Sequence, residues 1–128
     1  MSQSVVIDGA FVAVDFDGTC VHHDYPRIGS DVPGAVDVLS RIIGKGAKLI
    51  LYTMRSGDTL TDAVEWFARK GLILSGVNTC PGQETWTASP KAFAHVYIDD
   101  SAVGCPLTRH EGKRPTVDWS AVAEMVGV

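Results

Sequence analysis

Cysteine is scarce in this chain of 128 residues: there are three, Cys20, Cys80 and Cys105, an odd number without metal-type spacing. That excludes a disulfide framework of the kind that staples small secreted domains, and it suits a reducing compartment, so a cytoplasmic location is expected and the cysteines are read as structural. Long apolar runs are lacking too. Charge or glycine interrupts every stretch well short of the roughly 20 apolar residues that cross a bilayer, and no membrane partner is expected. Met1 to Ser4 offer no basic residue ahead of a short apolar run that Asp8 breaks, so a secretory leader is not expected either. There is no internal repeat and no low-complexity tract.

An excess of base is also missing. The net charge is −4, most of it carried by the acidic groups assigned below, which leaves a nearly neutral surface and argues against a broad nucleic-acid face. Arg109, His110, Lys113 and Arg114 form a local basic cluster, read as a solvated loop, with contact to a phosphate-rich substrate as the alternative. What is present is ordinary globular composition, 45% hydrophobic and 20% charged with 13 glycines, which excludes disordered, collagen-like and coiled-coil classes. The length suits one domain over residues 1–128 with a single core.

Short apolar runs alternate with amphipathic segments. Phe11-Val12-Ala13-Val14 is continuous and too short for a helix, so it reads as a strand buried on both faces. Val5 to Ile7 could add a short strand before the Asp8-Gly9 turn. Pro33 opens a helical stripe through Val36, Leu39, Ile42 and Ile43 that stops at Gly44 and Gly46. Lys48 to Tyr52 is a second strand. Thr59-Leu60-Thr61-Asp62 looks like a capping box that starts a helix with Leu60, Ala63, Val64 and Phe67 on its apolar face, ended by Gly71. Leu72 to Leu74 and Ala92 to Ile98 supply further strands, and Asp118 caps a last helix carrying Trp119, Val122 and Val126. Strands separated by helices predict right-handed crossovers and a three-layer α/β/α sandwich with a mainly parallel, Rossmann-like sheet. Ligands bind such sheets beyond the carboxyl ends of the strands.

Reactive side chains follow three of the apolar runs. Val14 is followed by Asp15-Phe16-Asp17-Gly18-Thr19, Tyr52 by Thr53, and Ile98 by Asp99-Asp100. Asp15 and Asp17 project to the same side of an extended chain, and Gly18 permits a sharp turn. Four carboxylates gathered at one sheet edge demand protonation or a cation. Mg²⁺ fits, because it prefers oxygen ligands and takes few protein carboxylates besides substrate phosphate. A calcium loop would need acidic ligands that Thr19-Cys20-Val21-His22 does not provide. His22 and His23 are adjacent, so their side chains diverge; they read as loop residues, with substrate contact as the alternative.

These motifs resemble the haloacid dehalogenase superfamily of phosphotransferases. Phe11 to Thr19 is similar to its first motif, a hydrophobic strand ending in D-x-D-G-T, and Leu49-Ile50-Leu51-Tyr52-Thr53 to its second. Ser89-Pro90-Lys91 stands where the third places a lysine, and His95 to Asp100 resembles the fourth in its two-acid form. The resemblance runs from about Phe11 to Ala102. It implies a Mg²⁺-dependent phosphatase acting on a phosphomonoester. Asp15 would be the nucleophile and a metal ligand. Asp17 would be the general acid and base, starting protonated, with its backbone carbonyl on the metal. Thr53 and Lys91 would hold phosphate oxygens. Asp100 would be the direct acidic metal ligand with Asp99 behind it, or the reverse. Arg55, two residues past Thr53, could reach a substrate anion or be a solvated arginine.

Neither Thr19 to Thr53 nor Thr53 to Lys91 leaves room for the cap domain many such proteins carry. The site is therefore expected to be open, suited to a large substrate such as a macromolecular end, or to a small molecule covered by loops or by a second subunit of a homo-oligomer. The loop Asn78 to Trp86 could face substrate, and Trp86 could equally anchor the core. A non-catalytic phosphate-binding module, or a phospho-acceptor domain of related α/β fold, is the alternative. In phospho-acceptor domains the acidic pair follows the first strand; here the Asp pair comes last.

Overall fold

A computed structural model describes residues 5–128; Met1 to Ser4, where no leader was expected, lie outside the described residues. Four parallel strands, β1 (Phe11–Val14), β2 (Lys48–Leu51), β3 (Leu74–Val77) and β4 (Val96–Ile98), form one sheet in the order β3-β2-β1-β4. Helices α1 (Ala35–Gly44) and α2 (Gly57–Arg69) make the crossovers between β1, β2 and β3. Beyond β4 come an antiparallel hairpin, β5 (Leu107–His110) with β6 (Lys113–Val117), and helix α3 (Trp119–Val126). Among the described residues no helix is long and apolar enough to cross a membrane.

The period-two alternation of the strands sorts the core. Val12, Val14, Leu49 and Leu51 pack with Leu39, Ile42, Phe67 and Trp119 of the three helices. Ala13 and Ile50 point the other way, onto Cys80, Ala92 and Ala94, flanked by Phe11, Tyr52 and Tyr97. The α/β fold with its parallel, Rossmann-like sheet is as expected, but the layers are unequal. All three helices share one face, and the other is covered by the segment between β3 and β4, whose only regular structure is a 3-10 turn at Gln83–Thr85. Buried Gln83 holds that segment together. Its Oε1 accepts from the Cys80 and Phe93 N–H groups at 3.1 and 2.8 Å, and its Nε2 donates to the Lys91 carbonyl at 2.7 Å.

Several elements differ from the sequence expectation. Val5 to Ile7 forms no strand, and β3 begins where the Leu72–Leu74 reading ended. β4 is confined to Val96–Ile98, because upstream Phe93 is tied to Gln83 and the Ala94 N–H donates to the Tyr97 hydroxyl. Helix α2 starts at Gly57 behind Ser56, and Thr59 donates its hydroxyl to the Ser56 carbonyl instead of capping. Trp66, unremarked in the sequence, is buried on α2 against Phe16 and Phe67. The largest difference is the hairpin, read as a solvated loop because its charged residues hide any alternation.

This hairpin and α3 close on the turn after β1. The Val117 N–H donates to the Gly18 carbonyl at 3.1 Å, and the buried Trp119 indole donates to the Thr19 carbonyl at 2.7 Å. Asp118 caps α3 as expected, accepting from the Ala121 N–H. Trp119→Phe would keep most of the packing but leave the Thr19 carbonyl without this donor, so a loss of about 1–3 kcal/mol in unfolding free energy is expected. Urea denaturation measures it, and an unchanged midpoint would show that the indole N–H contributes nothing.

Candidate active site

β1 and β4 are adjacent and in register, Val14 beside Ile98, so the residues that follow them emerge together. The Asp15 N–H donates to the Ile98 carbonyl at 2.9 Å, which sets Asp15 against the acidic pair. Ligand oxygens of Asp15, Asp99 and Asp100 all lie within 4.8 Å of one another. Thr19 ties them: its hydroxyl donates to Asp15 Oδ2 at 3.0 Å and accepts the Asp100 N–H at 3.2 Å. Gly18 has φ +83° and leaves space that a Cβ would take, since one built there meets the side chains of His23 and Asp100.

Burial pushes the Asp15 carboxyl up to about 8, helped by its hydrogen bond with Asp100 and the negative charge of Asp99. The metal-free cluster therefore holds a proton at neutral pH. These are the electrostatics and donor set that suit a hard divalent cation, and the three carboxylates fit Mg²⁺. The Asp17 side chain stands apart from this triad.

Asp17 is held instead by Arg55, whose Nε and Nη2 donate to its two oxygens at 2.8 and 2.7 Å. The remaining Arg55 donors reach the carbonyls of Pro26, Arg27 and Thr59. With five N–H groups in use and 3% of its surface exposed, Arg55 has nothing left for a substrate anion. Its expected role as a substrate contact is thus corrected to that of a residue that positions Asp17. Both Asp17 oxygens are engaged as acceptors of the Arg55 guanidinium.

Thr53 follows β2, and its N–H donates to Asn78 Oδ1 at 2.8 Å, while its hydroxyl oxygen accepts the Arg55 N–H at 3.1 Å. The hydroxyl proton is thereby left to point elsewhere. Asn78 adopts φ 55° at the end of β3, a left-handed conformation that asparagine tolerates. Thr53, Asn78, Lys91 and Asp99 line one open cavity of about 590 Å³. The Lys91 ammonium sits 5.0 Å from the Tyr97 ring centre. A second cavity, of about 350 Å³, is lined by Asp15, Asp17, His23, Tyr25, Asp100 and Arg114. Met54, 98% exposed, borders both.

The structure thus brings Asp15, Asp17, Thr53, Lys91, Asp99 and Asp100 to one edge. Sequence reasoning gave no role to Tyr25, placed Asn78 only at the start of a loop that could face substrate, and left His23 as a loop residue with substrate contact as the alternative. His23 Nε2 lies 3.2 Å from Asp100 Oδ2, a pairing that no local pattern announces. Trp86 is 64% exposed and packs edge-on against Phe93, so it is not a core anchor.

No protein-family model and no curated protein matches the chain. A solved structure does: that of a conserved protein from Bacteroides thetaiotaomicron, 37% identical, with 94% of this chain and 91% of that one covered and a TM-score of 0.78.

The Asp15 shift has a consequence for stability. Between the unperturbed 3.8 and about 8 the folded metal-free chain retains a proton that the unfolded chain releases. Stability therefore falls as pH rises through that window. In chelator, the melting temperature is expected to drop between about pH 5 and about pH 8, with a shallower drop in Asp15→Asn. Mg²⁺ should raise it more at the higher pH, where the cluster is easier to ionise. Parallel slopes for the two proteins would rule out Asp15 as the source.

Proposed function

We propose that this chain, which belongs to the same family as the conserved Bacteroides thetaiotaomicron protein, is a Mg²⁺-dependent phosphatase that hydrolyses a phosphomonoester through an aspartyl phosphate on Asp15. The observation that carries the reading is the close gathering of the Asp15, Asp99 and Asp100 carboxylates beside a cavity lined by Thr53 and Lys91. Like charges gathered in a partly buried site are costly to assemble, and phosphoryl transfer is a reaction for which such an assembly, loaded with cation, is suited. Mg²⁺ bound by these carboxylates and the Asp17 backbone carbonyl would supply the positive charge that keeps them ionised and draws charge from the phosphoryl oxygens.

Thr53, whose oxygen already accepts from Arg55, would donate its proton to a phosphoryl oxygen, and Lys91 would add its ammonium. An Asp15 oxygen forms the new bond to phosphorus as the ester P–O bond breaks, and the leaving oxygen takes a proton from the Asp17 carboxyl. Water then attacks phosphorus, the bond to Asp15 breaks, Asp17 takes the water's proton, and inorganic phosphate departs. The Arg55 pair favours the base half of this work. It also supports a second reading, a phospho-acceptor module in which Asp15 becomes phosphorylated but Asp17 gives little help to the leaving group.

Turnover of an aryl phosphate should require Mg²⁺, cease with chelator and be suppressed by Ca²⁺, whose looser coordination would misplace the phosphoryl group. Asp15→Asn should abolish both turnover and covalent phosphate incorporation in a folded protein; substantial residual activity would refute the nucleophile assignment. For Asp17→Asn, rapid-quench measurement should show the first step slowed about 10²- to 10⁴-fold for an alkyl ester and less for an aryl ester. Equal losses would mean that Asp17 is not the general acid.

A further inference from the structure

The basic residues beyond β4 are solvated, as expected, but they sit on a hairpin and not on a loop. The hairpin brings Lys113 and Arg114 over His22 and His23, where the four line one cleft of about 420 Å³ with Asp24, Gly29 and Ser30. His110 packs against His22 from outside the cleft, with its ring centre 5.1 Å from that of His22 and Nε2 2.8 Å from the Thr116 hydroxyl. The acid in the cleft is already matched, since Asp24 pairs with Arg27 at 3.0 Å. Among the described residues no ion pair involves Lys113 or Arg114. The imidazole of His22 is pushed down by burial and then by the proximity of His110, Lys113 and His23. Lys113 and Arg114, side by side on the cleft without counter-charges, leave a local positive potential that a bound anion would relieve.

The cleft is continuous with the catalytic edge, because His23 and Arg114 line both it and the cavity that holds Asp15 and Asp17. An anion in the cleft would thus lie on the same open surface as a phosphoryl group at Asp15. We infer that the hairpin cleft is a second phosphate subsite, and that the substrate is a phosphomonoester whose body carries another phosphate group. Arg114 and His23 stand between the two positions, with Lys113 and His22 at the distal one. This assignment rests on the phosphatase reading for what happens at Asp15, whereas anion binding in the cleft does not.

Two measurements separate the claims. In chelator, inorganic phosphate is titrated at constant ionic strength while the imidazole proton signals of His22 and His110 are followed by NMR. Saturable shifts are expected, with chloride giving none, and Lys113→Glu should weaken them about tenfold. With Mg²⁺, kcat/KM is compared for a series of alkanediol bisphosphates and the matching alkyl monophosphates, and for a dinucleotide with a terminal phosphate. A bisphosphate of one favoured length should lead, and its advantage should fall about tenfold in Lys113→Glu. A preference for the dinucleotide would assign the second phosphate to a nucleic-acid backbone rather than a small molecule. Hydrolysis without the NMR shifts, or an advantage unchanged in Lys113→Glu, would overturn the subsite. Shifts without hydrolysis of any ester would refute the phosphatase reading and leave the cleft as an anion site alone.

Discussion

Three carboxylates, from Asp15, Asp99 and Asp100, approach within 4.8 Å where two parallel strands end. Their repulsion is the constraint around which the nearby structure is arranged. A flexible loop would relieve it by moving apart. Here the strands cannot, because β1 and β4 are hydrogen-bonded neighbours and Thr19 links the two acidic segments through its hydroxyl. The turn that carries Thr19 is in turn gripped from outside by Val117 and Trp119. The uptake of a proton by Asp15 is the electrostatic record of that confinement.

Arg55 answers the neighbouring charge differently. Rather than sharing a proton or a cation, Asp17 receives a buried guanidinium that also collects three backbone carbonyls. One arginine therefore joins the start of α2 to the loop after β1 and fixes the orientation of a carboxylate at the mouth of the site. Two aspartates two residues apart thus live in opposite environments, one pressed against other carboxylates and one neutralised. That contrast gives the pair different chemical capacities despite their identical side chains.

The side of the sheet without helices serves the site as well. Its covering segment is irregular, but Gln83 satisfies the backbone groups that such a segment would otherwise bury without partners. Lys91 is thereby held by its own carbonyl, which receives the Gln83 amide. A lysine on an untethered loop would lose much of its attraction for an anion to ordering of the loop backbone, and this tether reduces that loss.

Local pattern alone was enough for the parallel α/β sheet, for Asp118 as a helix cap and for Asp15, Asp17, Thr53, Asp99 and Asp100 after the strand ends, because strand period, cap chemistry and the D-x-D-G-T turn are all written in short stretches of chain, whereas Lys91 was reached only through the family resemblance. The extent of β4 and the hairpin were not legible, since each depends on a partner outside its own segment, Gln83 for Phe93 and Gly18 for Val117, and the start of α2 was misplaced because Thr59 bonds back to the Ser56 carbonyl instead of making a reciprocal cap. The fate of Arg55 illustrates the same limit. Its position two residues after Thr53 is compatible with solvent, substrate or burial, and only the fold, by bringing Asp17 and the carbonyls of Pro26 and Arg27 around it, decided among them. His23 and Asp100 lie 77 positions apart, and their 3.2 Å contact exists because a strand order with β4 beside β1 places the last acidic pair next to the first loop. The sequence by itself determined which groups could do chemistry, because side-chain type is a local property. Their pairing, burial and charge state were decided by the tertiary structure, because those depend on neighbours that no local pattern specifies.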